Sequence, residues 1–383
     1  MKILDADKLR RAVSLRAEED IKSGDIVGAS VYVSQKGKIL LNECFGFKTA
    51  DRKVRLMPND MFRLASMTKP IIAVAILKLI ERGKLDLFDR ADKFIDGFNG
   101  FYVGKLEGDK VIPLKKTVNP IRVVDLLTHS SGLVSGELAE FYGRKRTAED
   151  KKNLNASIEF YKKTCLAFEP YCGNAYSAVA GFDVLAKIIE IISDCDIEYF
   201  LKKEIFQPLE MVDTTFTPSK EQWERLVDMQ GTVDGKNVAV DMHGCVFSDF
   251  PVTYKCGGAG LVSTIKDYSN FAEMLGNGGE FKGKRILPFY LVRSMGIPHL
   301  LEQYADSDTS WGLGVRVLTA ENPYLPVGCF GWSGAYGTHF WIDPTNEVVA
   351  IYMRNSVNAG GSGAITARNF ETDVTNAFGS DTI

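Results

Sequence analysis

Residues 71–80, IIAVAILKLI, set the first constraint on what this chain can fold into. From 66 to 83 the spacing predicts a helix that is apolar almost all round and stops at Gly83. A helix without a polar face has to be covered on every side, so the fold is layered around it. Directly ahead of it stands RLASMTKP, residues 63–70, with Ser66 three positions before Lys69. Residues at i and i+3 share a helix face, with Cβ atoms about 5–6 Å apart. A helix start carries the positive end of the macrodipole, which favours a developing alkoxide. Desolvation disfavours a lysine's charge, and a neutral amine can take a hydroxyl proton. Pro70 fits within the first turn, where backbone N–H groups have no helical acceptor. Taken alone, the pair also reads as a capping serine and a chance lysine.

The remaining pattern organises the chain. Residues 6–22 repeat apolar positions at helical spacing and stop at Ser23-Gly24. IVGASVYVSQKGKILLNECFGF reads as a β-hairpin about a Gln-Lys-Gly turn. Helices are predicted over 120–133, 176–192 and 263–275, the last opening on a Ser-Thr cap. WGLGVRVL, THFWIDP and EVVAIYM read as strands, and ARNFETDVTNAF as a closing helix. Residues 97–118 read as a hairpin near a cleft mouth or as a surface excursion. The order implies an α/β lobe from residues 1–83 and 260–383 with a central antiparallel sheet. A mainly helical lobe, 84–259, is inserted between, with a cleft at the seam.

Composition narrows the function classes. The chain has 383 residues, 45% of them apolar, ample for a large core. A net charge of −3 with mixed signs gives no basic face for nucleic acid or an anionic membrane. No stretch approaches the ~18 apolar residues of a transmembrane helix. The N-terminus MKILDADKLRRAV lacks a secretory pattern, and the seven cysteines are scattered without a C-x-x-C pair; both predict a cytoplasmic protein with reduced thiols. Four isolated histidines, His129, His243, His299 and His339, predict no metal site.

FRLASMTKPIIAVAILKLIERGKLDLFD, LLTHSSGL, FQPLEMVDTTF and GGAGLVSTIKDYSNFAEML together resemble the serine β-lactamase superfamily, over about residues 26–353 and in that family's order. The branch most similar is that of class C β-lactamases and family VIII carboxylesterases. The resemblance implies an α+β fold with the lobes described above, and makes Ser-x-x-Lys the first of three motifs. The second, Tyr-x-Asn, is met by Tyr176-Ser177-Ala178, which keeps the tyrosine and replaces the asparagine. The third, Lys-Thr-Gly, falls on Trp332-Ser333-Gly334. A Trp-x-Gly triplet is frequent in family VIII esterases.

By this resemblance Ser66, Lys69 and Tyr176 are the catalytic residues. The oxyanion hole is formed by the backbone N–H groups of Ser66 and Ala335, and substrate is bound at Trp332, Ser333, Gly334 and Ala178. Trp332 puts an indole where β-lactamases keep a cation, and Ala178 lacks the amide of asparagine. Arg354, on an adjacent strand, is another candidate for that cation. His129 in LLTHSSGL is expected to fix a helix end rather than to act as a base. The expectation is a serine esterase that cleaves a small-molecule ester through an acyl-enzyme, without metal or organic cofactor. Its alternatives are a β-lactamase or D-alanyl-D-alanine peptidase, an acyltransferase, and a non-catalytic scaffold on the same fold.

Overall fold

The computed structural model describes residues 1–233, 236–242 and 249–379. His243 and Cys245 lie outside the described residues. Helix α1 is Ala6–Ser23, capped by Asp5, whose side chain accepts from the Asp7 and Lys8 amides at 3.0 Å. The hairpin follows as β1 (Gly28–Gln35) and β2 (Lys38–Gly46). Helices α2 (Thr68–Glu81), α3 (Ala180–Ser193) and α4 (Ile265–Gly276) come next. The chain ends in five strands and a helix: β3 (Thr309–Trp311), β4 (Arg316–Leu318), β5 (Phe330–Ser333), β6 (His339–Asp343), β7 (Val348–Met353) and α5 (Ile365–Asn376).

These seven strands form one antiparallel sheet in the order β3-β4-β5-β6-β7-β1-β2. The pairing of β1 with β7 joins the two ends of the chain. Every residue of β1 is buried, because both faces of the sheet are covered. Alternation divides its side chains. Val31 and Val33 pack with Leu9 of α1 and Phe370 of α5, whereas Tyr32 between them packs with the core that holds α2 and α4. Helix α2 is buried from Thr68 to Leu79, as an apolar surface with no polar stripe requires. Its one inward lysine beyond the motif, Lys78, donates to Ile286 O at 2.9 Å.

Several boundaries differ from the pattern. The helix expected over 120–133 is confined to Val123–Leu127, since the chain turns at His129 with a φ of 59°. Helix α3 begins at Ala180, so Tyr176 stands in the irregular segment before it. WGLGVRVL is two strands, β3 and β4, separated by a bend over 312–315. Residues 97–118 contain a two-stranded hairpin, Tyr102–Glu107 with Lys110–Lys116. Among the described residues no helix is long and apolar enough to cross a membrane.

Candidate active site

Ser66 lies in a single 3₁₀ turn, Ala65–Met67, that feeds directly into α2. The turn is held in an uncommon shape. Ala65 has a φ of 47°, a left-handed conformation that a non-glycine residue keeps only when its surroundings impose it. Three bonds do so: Leu64 N–H donates to Leu261 O at 3.0 Å, Thr338 Oγ1 to Leu64 O at 2.8 Å, and Tyr268 OH to Met67 O at 3.0 Å.

Lys69, one turn on, is fully buried. Its Nζ donates to Ser66 Oγ at 3.1 Å, to Ala178 O at 2.6 Å and to Gly258 O at 2.8 Å. Three acceptors satisfy the three protons of an ammonium, which is how an interior tolerates that charge. Both carbonyls come from strands of chain packed closely together. A Cβ on Gly258 would lie 2.7 Å from Val179 Cα, so only glycine allows this approach. Asp183, on the first turn of α3, ties the same segments. Its carboxylate accepts from Gly257 N–H and Tyr161 OH, each at 2.8 Å, and from Tyr254 OH. Burial pushes its pKa up, against the pull of the two tyrosine hydrogen bonds. Asp183→Ala would strand three buried donors at about 1–3 kcal/mol each. The expected result is a lower urea midpoint with an unchanged m-value, corresponding to several kcal/mol.

Tyr176 OH donates to Ser66 Oγ at 2.7 Å. The tyrosine is positioned by its neighbours' bonds to His129. Ala175 N–H donates to His129 O and Ser177 N–H to His129 Nδ1, both at 3.2 Å. The imidazole ring centroid is 4.5 Å from that of Tyr176. Burial, and then the nearby Lys69 charge, hold the His129 pKa well below the usual imidazole value. A neutral ring that accepts through Nδ1 braces the tyrosine segment, while its buried Nε2 has no partner among the described residues. On the other side, Trp332 Nε1–H donates to Tyr176 OH at 3.2 Å, and Trp311 stacks on the phenol at 5.8 Å between centroids.

Strand β5 closes the site. At Gly334 an added Cβ would lie 2.2 Å from Leu64 O and 2.1 Å from Thr338 Oγ1, so the strand end presses on the Ser66 turn. That brings Ala335 beside the turn. The backbone N–H groups of Ser66 and Ala335 donate to no acceptor among the described residues.

The remaining expected substrate-binding positions fall into different places. Trp332 half-faces the site, but alternation turns its neighbour Ser333 to the other face of the sheet. There Ser333 Oγ bonds His339 Nδ1 at 2.7 Å, and His339 Nε2 bonds Glu371 Oε1 at 2.9 Å. The Ser333 hydroxyl is therefore committed away from the cleft, which corrects the expectation that its side chain meets substrate. Ala178 contributes its carbonyl to Lys69. Arg354 is buried, donates to Asp25 O at 2.8 Å, and is not a cation of the cleft. The Trp332–Tyr176 bond, the two carbonyls on Lys69 and the Asp183 tie were not anticipated. Asp183 alone had a signal, a carboxylate inside an apolar helical run.

Comparison with known proteins places the chain in a family. The family described as Beta-lactamase matches residues 13–370. A putative D-alanyl-D-alanine carboxypeptidase of Salmonella typhimurium is 26% identical over 333 residues, covering 79% of this chain and 71% of that protein. The structure described as "EstCE1, a hydrolase with promiscuous acyltransferase activity" superposes with a TM-score of 0.80 at 22% identity, covering 97% of this chain and 98% of that one. A family VIII carboxylesterase superposes at 0.76 and 18% identity, covering 97% of each. At such identities the superpositions speak for the fold, and the family match speaks for descent. With a serine, a lysine and a tyrosine joined at its centre, this chain belongs to the Beta-lactamase family, the serine β-lactamase-fold hydrolases and acyltransferases.

Proposed function

We propose that the protein is a carboxylesterase acting through an acyl-enzyme on Ser66. The observation that carries the reading is one oxygen, Ser66 Oγ, held at 3.1 Å from Lys69 Nζ and 2.7 Å from Tyr176 OH. Ser66 Oγ attacks the ester carbonyl carbon while its proton passes to the Tyr176 oxygen, which takes it as a phenolate held beside the Lys69 ammonium. The oxyanion accepts hydrogen bonds from the Ser66 and Ala335 amides, which have no other acceptor among the described residues. The carbon–oxygen bond to the alcohol then breaks, and the pair returns the proton to the departing alkoxide. Water attacks the acyl carbon, loses a proton to the same pair, and releases the acid as Ser66 Oγ regains its hydrogen. A bound alcohol in place of water gives acyl transfer, the activity named for EstCE1.

Ester rather than β-lactam specificity rests on Trp332 and Ala178. A β-lactam brings a ring carboxylate and a side-chain amide. A site unable to pair them leaves both partly desolvated, at roughly 1–3 kcal/mol each and more for the charge. Each ~1.4 kcal/mol is tenfold in rate. In a side-by-side assay of p-nitrophenyl butyrate, nitrocefin and a D-Ala-D-Ala peptide, kcat/KM for the ester should exceed that for nitrocefin by about 100-fold or more. Trp332→Lys should narrow the gap. Equal turnover of nitrocefin and ester sinks the esterase reading and favours a β-lactamase; preference for the peptide favours the carboxypeptidase.

A further inference from the structure

A cavity of about 140 Å³ adjoins the site, lined by Asn174, Asp306, Ser310, Trp311, Arg316 and Trp332 among others. Ser66, Lys69 and Tyr176 do not line it. It lies against the two indoles, Trp311 and Trp332, that also contact the Tyr176 ring. Two polar groups in its wall are under-used. Arg316, on β4, has no carboxylate within ion-pair distance among the described residues, and its Nη1 donates only to Ser362 Oγ, at 3.1 Å. Ser310, 5% exposed, has a buried Oγ with no hydrogen-bond partner among the described residues. Asp306, also in the lining, is exposed, and its carboxylate accepts from Thr309 Oγ1 at 3.3 Å.

We infer that this cavity binds a carboxylate carried on a flexible chain of the substrate, with Arg316 as its cation, so that the preferred esters are half-esters of dicarboxylic acids. The inference rests on the esterase reading and deepens it. A guanidinium offers a planar fork of donors to a carboxylate, and a spare hydroxyl nearby supplies a further one. The indoles between nucleophile and cavity supply an apolar wall for the methylenes that join the two ends. A β-lactam's carboxylate sits on the ring beside the scissile bond, too close to reach past the indoles, which keeps this subsite compatible with poor nitrocefin turnover.

Binding and turnover test it separately. Titration with glutarate, followed by tryptophan fluorescence, should saturate at least about 10-fold more tightly than with pentanoate. That difference should vanish in Arg316→Ala and return in part in Arg316→Lys, with circular dichroism confirming the fold of both. In turnover, the p-nitrophenyl monoester of glutaric acid should exceed p-nitrophenyl pentanoate in kcat/KM by about 10-fold or more, a ratio that falls toward one in Arg316→Ala and shrinks with added salt. Glutarate binding that is absent, or indifferent to Arg316→Ala, overturns the carboxylate subsite whatever the turnover. Hydrolysis of neither ester overturns the esterase reading, and the fluorescence titration then still decides the subsite.

Discussion

Ser66→Ala protein should fold like the wild type and lose ester hydrolysis by at least about 10³-fold. The loss is large because no second oxygen takes over. Tyr176 OH and Lys69 Nζ would face a methyl group, and what remains is substrate held near the Ser66 and Ala335 amides. Folding should survive, since the turn is fixed by the bonds of Leu64, Thr338 and Tyr268 rather than by the serine hydroxyl. Two donors lose one acceptor, a cost of about 1–3 kcal/mol. Mass spectrometry of wild-type protein incubated with a slow ester should place one acyl group on the peptide containing Ser66. The informative rival is Ser333. Its hydroxyl, His339 and Glu371 are spaced as a nucleophile, base and acid would be, at 2.7 and 2.9 Å. All three are buried, on the opposite face of the sheet from Trp332. Acylation of Ser333, or of any serine other than Ser66, would overturn the assignment.

What could be read from the sequence follows from where the physics is local. The β1–β2 hairpin, α1 and α4 are legible because alternation, capping residues and helical spacing are properties of neighbouring residues. The apolar surface of α2 announces its burial for the same reason. The helix expected over 120–133 stops at Leu127 because the backbone at His129 is turned by bonds to Asn174 and Ala175, distant in sequence, which no local pattern reports. The motif residues could be aligned by type, but their supports are backbone atoms. Ala178 O, Gly258 O and the Ala335 amide carry no side-chain signature, since any residue has a carbonyl and nearly any has an N–H. Trp332 could be read as an apolar wall from its position. That its N–H reaches the Tyr176 oxygen depends on a rotamer fixed by packing against Trp311, 4.6 Å away between ring centroids.

Lys69→Ala and Tyr176→Phe should each reduce kcat/KM by about 10²–10⁴-fold, and the double variant should lose little more than the worse single one. The reason is that both groups act on one oxygen and one proton. Lys69 Nζ and Tyr176 OH each donate to Ser66 Oγ, and the Lys69 charge lies 5.0 Å from the centre of the Tyr176 ring. To take the serine proton the pair must start one proton short, as a Tyr176 phenolate beside the Lys69 ammonium, and the ammonium charge together with Trp332 Nε1–H stabilises the negative oxygen. Without the lysine the tyrosine takes the proton with less support. Without the tyrosine the ammonium, its protons already directed at two carbonyls and the serine, has no free lone pair to offer. Either deletion therefore disables the same transfer, and little is left for the second to remove. Lys69→Ala also strips a donor from Ala178 O and Gly258 O, so its thermal midpoint has to be measured alongside its rate. Tyr176→Phe is the cleaner arm, because the ring and its contacts with His129 and Trp311 remain. Simple multiplication of the two single losses in the double variant would mean two independent roles, and near wild-type turnover in Tyr176→Phe would remove the tyrosine from the proton path.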